Sequence, residues 1–520
     1  MSKNLTKRLI IFCSILLTVL LLVACGDNNG NASNGDEAGN NSSENNSKNN
    51  SNNNDDNESD ELVTISMMLN LHTPEVPNDT IPDALEEKLN VRLDIDWVPD
   101  NNYAEKLNTA FATGTLPEVF SVGFNQLDQF REAIVDDQFW EIGPYLDQFE
   151  NLSKLKEPIL ENTKIEGKLY GIYQGRPLSR QGIIYRKDWA DNLDLEAPTT
   201  TEEFFEMARA FTEEDPNGSG KDDTIGLTDR GDLEYGAFKT IASWFGTPNY
   251  WGEKDGELLP EFMFPEYIET MKFVKELRDN GFMNKDFPVT SKDDQQAMFK
   301  NGTAGIYVGS MADVVSIRND AIELNPDVVY DVHNNVKGPN GEFNVWAIPG
   351  FGSLFLFPKS SVETEEKLLQ ILGFFDHLMT PEISNLIYWG FEGEHYDMVD
   401  GQAQPIEDKD KIDRDVRPFF ALEIGEPETS GRYVGYHAYD AKEKAEELIL
   451  DNENYLVHDP TVTLESETYI RDGERLQEII NDATYNFMLG EIDEDEFNKE
   501  VEKWREQGGD KIIEEYNESK

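Results

Sequence analysis

"LVTISMMLNL" at residues 62–71, "VRLDIDWV" at 91–98 and "LPEVFSV" at 116–122 decide the fold. The first is an apolar run of the length of a buried strand, and the second alternates apolar and polar residues as a half-buried strand does. Between them Pro74, Pro77 and Pro82 break the chain into a loop, and residues 83–89 read as a short helix. A second helix over 103–113 stops at Gly114, just before the third strand. Strand, helix, strand, helix, strand is the pattern of a mostly parallel sheet, so the fold class is α/β.

Further along, residues 182–185 read as another apolar strand, running into Arg186-Lys187-Asp188-Trp189. Thr199-Thr200-Thr201-Glu202-Glu203 then opens a helix that reaches about residue 211, because Thr and Glu in a first turn satisfy free N–H groups and the helix dipole. Other helical stretches fall at 265–280, 291–300, 363–378, 441–452, 474–489 and 493–516. No internal repeat stands out. The folded part, 62–520, is too long for one ordinary domain, and two lobes are expected. With 38% hydrophobic and 11% aromatic residues, a sizeable core can form.

Toward the N-terminus, Lys3, Lys7 and Arg8 precede an uncharged apolar run over 9–23. That run is short for a transmembrane helix and suits the core of a signal peptide. It closes on Leu22-Val23-Ala24-Cys25-Gly26, which resembles the lipobox of bacterial lipoproteins. The resemblance implies a signal peptide over 1–24 and acylation of Cys25, which becomes the new N-terminus on the outer face of the cell membrane. Residues 26–61, dominated by Asn, Ser, Gly, Asp and Glu, cannot bury enough surface to offset the entropy of ordering and read as a disordered tether. The chain has two cysteines, Cys13 and Cys25. Cleavage removes Cys13, so neither a disulfide nor cysteine chemistry is available to the mature protein.

The formal net charge is -58, with 103 acidic residues scattered along the chain. Such a surface excludes nucleic acid as a partner and disfavours direct adsorption to an anionic membrane. It fits a solvated surface in saline or alkaline surroundings.

Several blocks stand out in order along the chain: "IIYRKDW" (183–189), "PTTTEEF" (198–204), "DPNGSGKDDTIG" (215–226), "FGTPNYW" (245–251), "GFMNKDF" (281–287), "FKNGTAGIYVG" (299–309) and "WGFEGEHY" (389–396). Their order resembles that of the extracellular solute-binding proteins of ABC importers, in particular the large oligosaccharide-binding lipoproteins of Gram-positive bacteria. The resemblance runs from about residue 62 to the C-terminus. It implies a two-lobe periplasmic-binding-protein-like fold of type II, with a ligand cleft between the lobes. The N-terminal lobe would comprise 62–181 plus 350–395, and the C-terminal lobe 182–349 plus 396–520. The expected ligand is an oligosaccharide, with uronate-containing chains among the candidates. The expected partners are ABC permease subunits in the membrane, and the expected state is a monomer.

In the 215–226 loop, side-chain oxygens recur at Asp215, Asn217, Ser219 and Asp223, with Gly218 and Gly220 permitting the turn and Lys221 offering its carbonyl. Hard oxygen donors on a Gly-rich loop suit a structural Ca²⁺. The spacing resembles the first part of an EF-hand loop, but Gly226 stands where the bidentate Glu belongs, leaving Asp222, Thr224 or water to complete the shell. Trp244, Trp251 and Trp389 lie beside glycines, and flat aromatic faces pack against the C–H faces of sugars; core packing is the competing role for each. Glu392, His395 and Tyr396 share one Gly-containing segment and offer hydroxyl-binding groups, with a structural corner as the competing role. Gln174, Arg176 and Arg180 precede the 182–185 strand; an arginine fork suits an acidic sugar, and internal ion pairing is the alternative. His72 and Ser121 close the first and third strands, at the end where open α/β sheets gather ligands. An exported glycoside hydrolase or lyase is the competing class. With 103 acidic residues a carboxylate pair can always be proposed, so that signal decides nothing, and no GxSxG, HExxH or phosphate-loop motif is present. A binding protein, not an enzyme, is expected.

Overall fold

The computed structural model describes residues 62–520. The leader, Cys25 and the tether lie outside the described residues. The first sheet begins as expected. Strand β1 (Val63–Leu71) is followed by helix α1 (Thr80–Leu89), strand β2 (Val91–Pro99), helix α2 (Asp100–Thr113) and strand β3 (Val119–Gly123). β1 pairs in parallel with β2 from Val63↔Val91 to Leu71↔Pro99, and with β3 at Met67↔Val119. Gly114, at φ +68°, ends α2 by returning its N–H to the Ala110 and Phe111 carbonyls.

The chain continues through β4 (Gly171–Gly175), β5 (Gln181–Arg186), helix α3 (Thr201–Glu213), β6 (Ile225–Thr228) and helix α4 (Ala237–Phe245). A hairpin β7–β8 (Trp251–Lys254, Glu257–Pro260) precedes β9 (Ala304–Ser310), β10 (Tyr330–His333), β11 (Val345–Trp346) and β12 (Phe351–Leu356). After a second hairpin, β13–β14 (Tyr396–Val399, Gln402–Pro405), come β15 (Leu456–Val457) and the long helix α5 (Glu467–Leu489). α3 is capped as its sequence predicts: Thr200 accepts the Glu203 N–H.

Two larger sheets result, ordered β2-β1-β3-β12-β4 and β10-β5-β9-β6. Each has its own core. The first gathers Ile65, Val119, Phe120, Phe355 and Phe375. In the second sheet, neighbours on β5 divide: Ile183 joins a core with Trp189, Trp244 and Leu277, while Ile184 joins another with Tyr307, Val332 and Ile317. Side chains alternate across a strand, so this split means that both faces of the sheet are covered.

The chain passes between the sheets at residues 176–180, joining β4 to β5, and at 347–350, joining β11 to β12. The two passages pair antiparallel: Arg176 N–H donates to Gly350 O and Ile348 N–H to Leu178 O, each at 2.8 Å. β15 lies in parallel beside β11, and Ala347 N–H donates to Val457 O at 3.0 Å. Asn452, fully buried, donates to the carbonyls of Ser179 (3.2 Å) and Gln181 (2.9 Å). A later handover to the second lobe is expected near Tyr396, but Val416, Phe419, Leu422 and Ile424 still lie in the first core. Phe419 stands edge-on to Trp97 of β2 at 5.6 Å, which holds this stretch on the first sheet.

No helix among the described residues is long and apolar enough to cross a membrane.

Candidate ligand-binding site

In both sheets the carboxyl ends of the parallel strands point toward the paired passages. β12 runs antiparallel to β3 and β4, so β4 ends at Gly175 on the same edge as Gly123. In the second sheet β6 and β9 are parallel, and Ser310 at the end of β9 pairs with Gln181 at the start of β5. Ligands of open α/β sheets bind at such edges.

Arg176 and Arg180 sit at the two ends of the first passage, both exposed. Neither forms an ion pair among the described residues, although Arg186, Arg230, Arg414, Arg417 and Arg432 each hold an acidic partner. The Arg176 guanidinium lies against the backbone of Gly352, where a β-carbon would stand 2.4 Å from Nε and displace it. Phe124, partly exposed, meets Phe351 edge-on at 5.4 Å on this edge of the first sheet.

On the second sheet's edge stands Tyr235, which is not among the expected site residues. It is half exposed and meets the buried Trp346 at 5.7 Å. Asp232 accepts from the backbone N–H groups of Glu234 (3.1 Å) and Tyr235 (2.9 Å), and Arg230 donates to the Tyr235 carbonyl. Trp346 is fixed in turn by donating Nε1–H to Thr240 Oγ1 at 3.1 Å. Beside it, buried Lys239 pairs with Glu261 at 3.0 Å and lies 3.3 Å from the Tyr250 ring centroid. Burial, then the Glu234 carboxylate, pushes the Tyr235 phenol up to about 12 and raises that of Tyr250 as well. The available signal was the acidic turn "DRGDLEY" directly after a strand.

Other expected site residues are placed elsewhere. Trp244 is fully buried on α4, edge-on to Phe204 at 5.4 Å, and Trp251 packs on Tyr516 at 4.9 Å, so both belong to the core. The glycine near Trp244 closes a helix: Gly246 is the left-handed residue that ends α4. Ser121 is buried, its backbone clamped by Tyr103 Oη at 3.1 and 2.7 Å. Gln174 donates to Ala421 O at 2.8 Å and accepts from Ser353, which leaves its amide engaged within the fold. His72 is exposed, with Nδ1 2.6 Å from Asp100 at the ends of β1 and β2.

The 389–396 segment folds into a corner. His395 is 1% exposed, its Nδ1 accepts the Phe391 N–H at 3.0 Å and its Nε2 lies 3.6 Å from Asp415. Burial holds this imidazole below the usual histidine range, against the pull of Glu394 and Asp415. Tyr396 is buried too, whereas Glu392 is exposed. Trp389 remains partly accessible, donating Nε1–H to Tyr433 O at 3.2 Å. Of this group only Trp389 and Glu392 keep a surface for a ligand.

In the 215–226 loop, Asp223 Oδ1 accepts from Asn217 and from Ser219, both at 3.0 Å. Asp215 Oδ2 accepts the Gly220 N–H at 2.9 Å. The bonds from Asn217 and Ser219 hold the Asp223 carboxyl below its usual range. Thr224 is buried and donates its hydroxyl to Phe211 O at 2.8 Å, so it faces away from the loop's oxygens. Among the described residues no three His, Cys, Asp or Glu side chains converge as for a metal. A cation here would rely on two carboxylates supplemented by amide, hydroxyl and carbonyl oxygens, a donor set that fits Ca²⁺ and not a softer metal.

Residues 76–382 match the family described as bacterial extracellular solute-binding protein. A polygalacturonan/rhamnogalacturonan-binding protein of Bacillus subtilis, YtcQ, is 44% identical over 462 residues, covering 88% of this chain and 92% of its own. Lipoprotein LipO of the same organism is 34% identical over 469 residues, covering 87% and 91%. Among solved structures, an HMO-binding ABC-transporter-associated solute-binding protein from Bifidobacterium longum infantis superposes with a TM-score of 0.66. It covers 88% of this chain and 98% of its own at 16% identity, a likeness of fold. The chain thus has the two-lobe α/β fold expected of it.

Proposed function

The chain belongs to the family of bacterial extracellular solute-binding proteins, and from that premise we propose that it captures an acidic, galacturonate-containing oligosaccharide and delivers it to an ABC importer. The observation that carries this reading is the pair of unpaired cations, Arg176 and Arg180, at the two ends of the passage between the sheets. A surface of net charge -58 repels anions, so an anionic ligand needs local positive charge that acidic neighbours have not neutralised. Guanidinium forks suit carboxylates. The binding of polygalacturonan and rhamnogalacturonan, named for the 44% identical relative, points to the same chemistry.

The ligand would engage groups from both lobes only when they approach, so binding shifts the population toward a closed state. The sugar is held and released intact, without turnover, by a monomer. A lipid on Cys25 would keep the receptor on the outer face of the membrane near its permease. A structural Ca²⁺ would be held by Asp215, Asn217, Ser219, Asp223 and the Lys221 carbonyl, pinning the loop that links α3 to β6.

Calorimetric titration of the purified protein with galacturonate oligosaccharides, their methyl esters and neutral oligosaccharides tests the reading. Tight binding of the free acids, weakened by esterification and by salt, is expected. Binding of neutral sugars alone would overturn the acidic assignment.

A further inference from the structure

The outward passage ends at Arg180, and the returning one begins just after Trp346. Arg176 lies opposite Gly350 and Leu178 opposite Ile348. Beyond that pairing the link is made by Gln181, the residue after Arg180: its Oε1 lies 3.5 Å from Thr240 Oγ1, the atom that accepts the Trp346 Nε1–H. The Arg180 charge is felt at the Tyr235 phenol, whose pKa it lowers against the larger effect of burial. Trp346 is the ring on which the half-exposed Tyr235 rests. Arg180 is fixed by its carbonyl, which accepts the Met311 N–H at 2.8 Å just beyond β9.

We propose that Arg180 and Tyr235 form one uronate subsite on the second lobe, in which the tyrosine ring stacks on the sugar face and the guanidinium takes the ring carboxylate. The assignment rests on the acidic-ligand reading above and adds its specificity-determining pair. Three features mark the place as built rather than incidental. First, the ring is presented: the Asp232 turn, the Arg230–carbonyl bond and the buried Trp346 all fix Tyr235, yet half of its surface stays open. Second, the cation is kept free. Glu234, its acidic neighbour across Tyr235, faces the Tyr235 and Tyr250 phenols, and Arg180 forms no ion pair among the described residues. Third, the second cation nearby, Lys239, is already held by Glu261, so the carboxylate preference falls on Arg180. Glu234 is left to accept sugar hydroxyls, which also disfavours a second carboxylate at the same ring.

The test compares trigalacturonate with its methyl ester on the full-length protein and on R180M, R180K, Y235A and Y235F. R180M should lose about tenfold or more in affinity for the acid, the loss of a charged hydrogen-bonded contact, with little change for the ester. R180K should fall between, since an ammonium keeps the charge without the fork. Y235A should weaken acid and ester alike, and Y235F should bind as the parent does. If the parent prefers the acid but R180M keeps that preference, or Y235A leaves both affinities intact, the subsite is overturned while the acidic-ligand reading stands. If the parent itself shows no preference for the acid, both fall. The salt dependence of acid binding should shrink in R180M and not in Y235A, a readout that a merely structural role for Arg180 would not move.

Discussion

Arg176 donates its backbone N–H to the carbonyl of Gly350 at 2.8 Å, and this bond ties the outward passage between the lobes to the returning one. The two passages therefore bend together. Gly350 sits at φ +88°, and a β-carbon there would stand 2.7 Å from Leu178 Cδ2 and 2.8 Å from Ile159 Cγ1. G350A should lower stability by about 1–3 kcal/mol, the cost of a side chain in a strained conformation. Urea denaturation measures it, and a change within experimental error would show that the passage tolerates a side chain.

Asn452 should act on the same ribbon from behind. Its amide donates to the carbonyls of Ser179 in the passage and Gln181 at the head of β5, and its Oδ1 accepts from Asn334 at 2.9 Å. N452A leaves these buried groups without partners, at a cost of about 1–3 kcal/mol. Hydrogen exchange at Ser179 to Gln181 should quicken in the variant; unchanged protection would contradict the role given to Asn452.

Asp229 makes stability depend on pH. It is fully enclosed at the end of β6, and burial pushes its carboxyl up to about 7, against hydrogen bonds from the Ala237 and Arg230 N–H groups. Between about pH 4 and pH 7 the folded state keeps a proton that the unfolded state has released, so this group's contribution declines as pH rises through that window. D229N stays neutral and retains an acceptor for Ala237. Its melting temperature should fall less than the parent's between about pH 5 and pH 8. Parallel curves would refute the assignment.

Calcium should raise the melting temperature of the parent, because a ligand that binds only the folded state stabilises it. The rise should vanish in D215A/D223A, which removes both carboxylates of the loop. A rise that persists in the double variant would place the cation elsewhere.

Much of the fold was legible because local patterns there agree with the tertiary solution. β1, β2 and β3 appear within a few residues of their apolar runs, and Thr200 caps the helix its sequence announces. Boundaries failed where glycine misleads. Gly473 lies inside α5, which starts at Glu467, seven residues before the expected helix at 474. The helix expected over 493–516 is interrupted at 505–509, where Gly508 takes φ 139°. The site was harder to read than the fold. A tryptophan beside a glycine looks the same whether the glycine opens a binding loop or ends a buried helix, and for Trp244 it ends a helix. Conversely, what marks Arg180 and Tyr235 is contact between segments distant in the chain, Gln181 with Thr240 and Thr240 with Trp346, to which periodicity is blind.

Solution scattering on the purified protein, with and without a galacturonate oligosaccharide, bears most directly on the claim that this is a two-lobed receptor for acidic sugars. The radius of gyration should fall on addition of the sugar, and the sugar should be recovered at its original length. An unchanged radius, or a shortened sugar, would contradict the account.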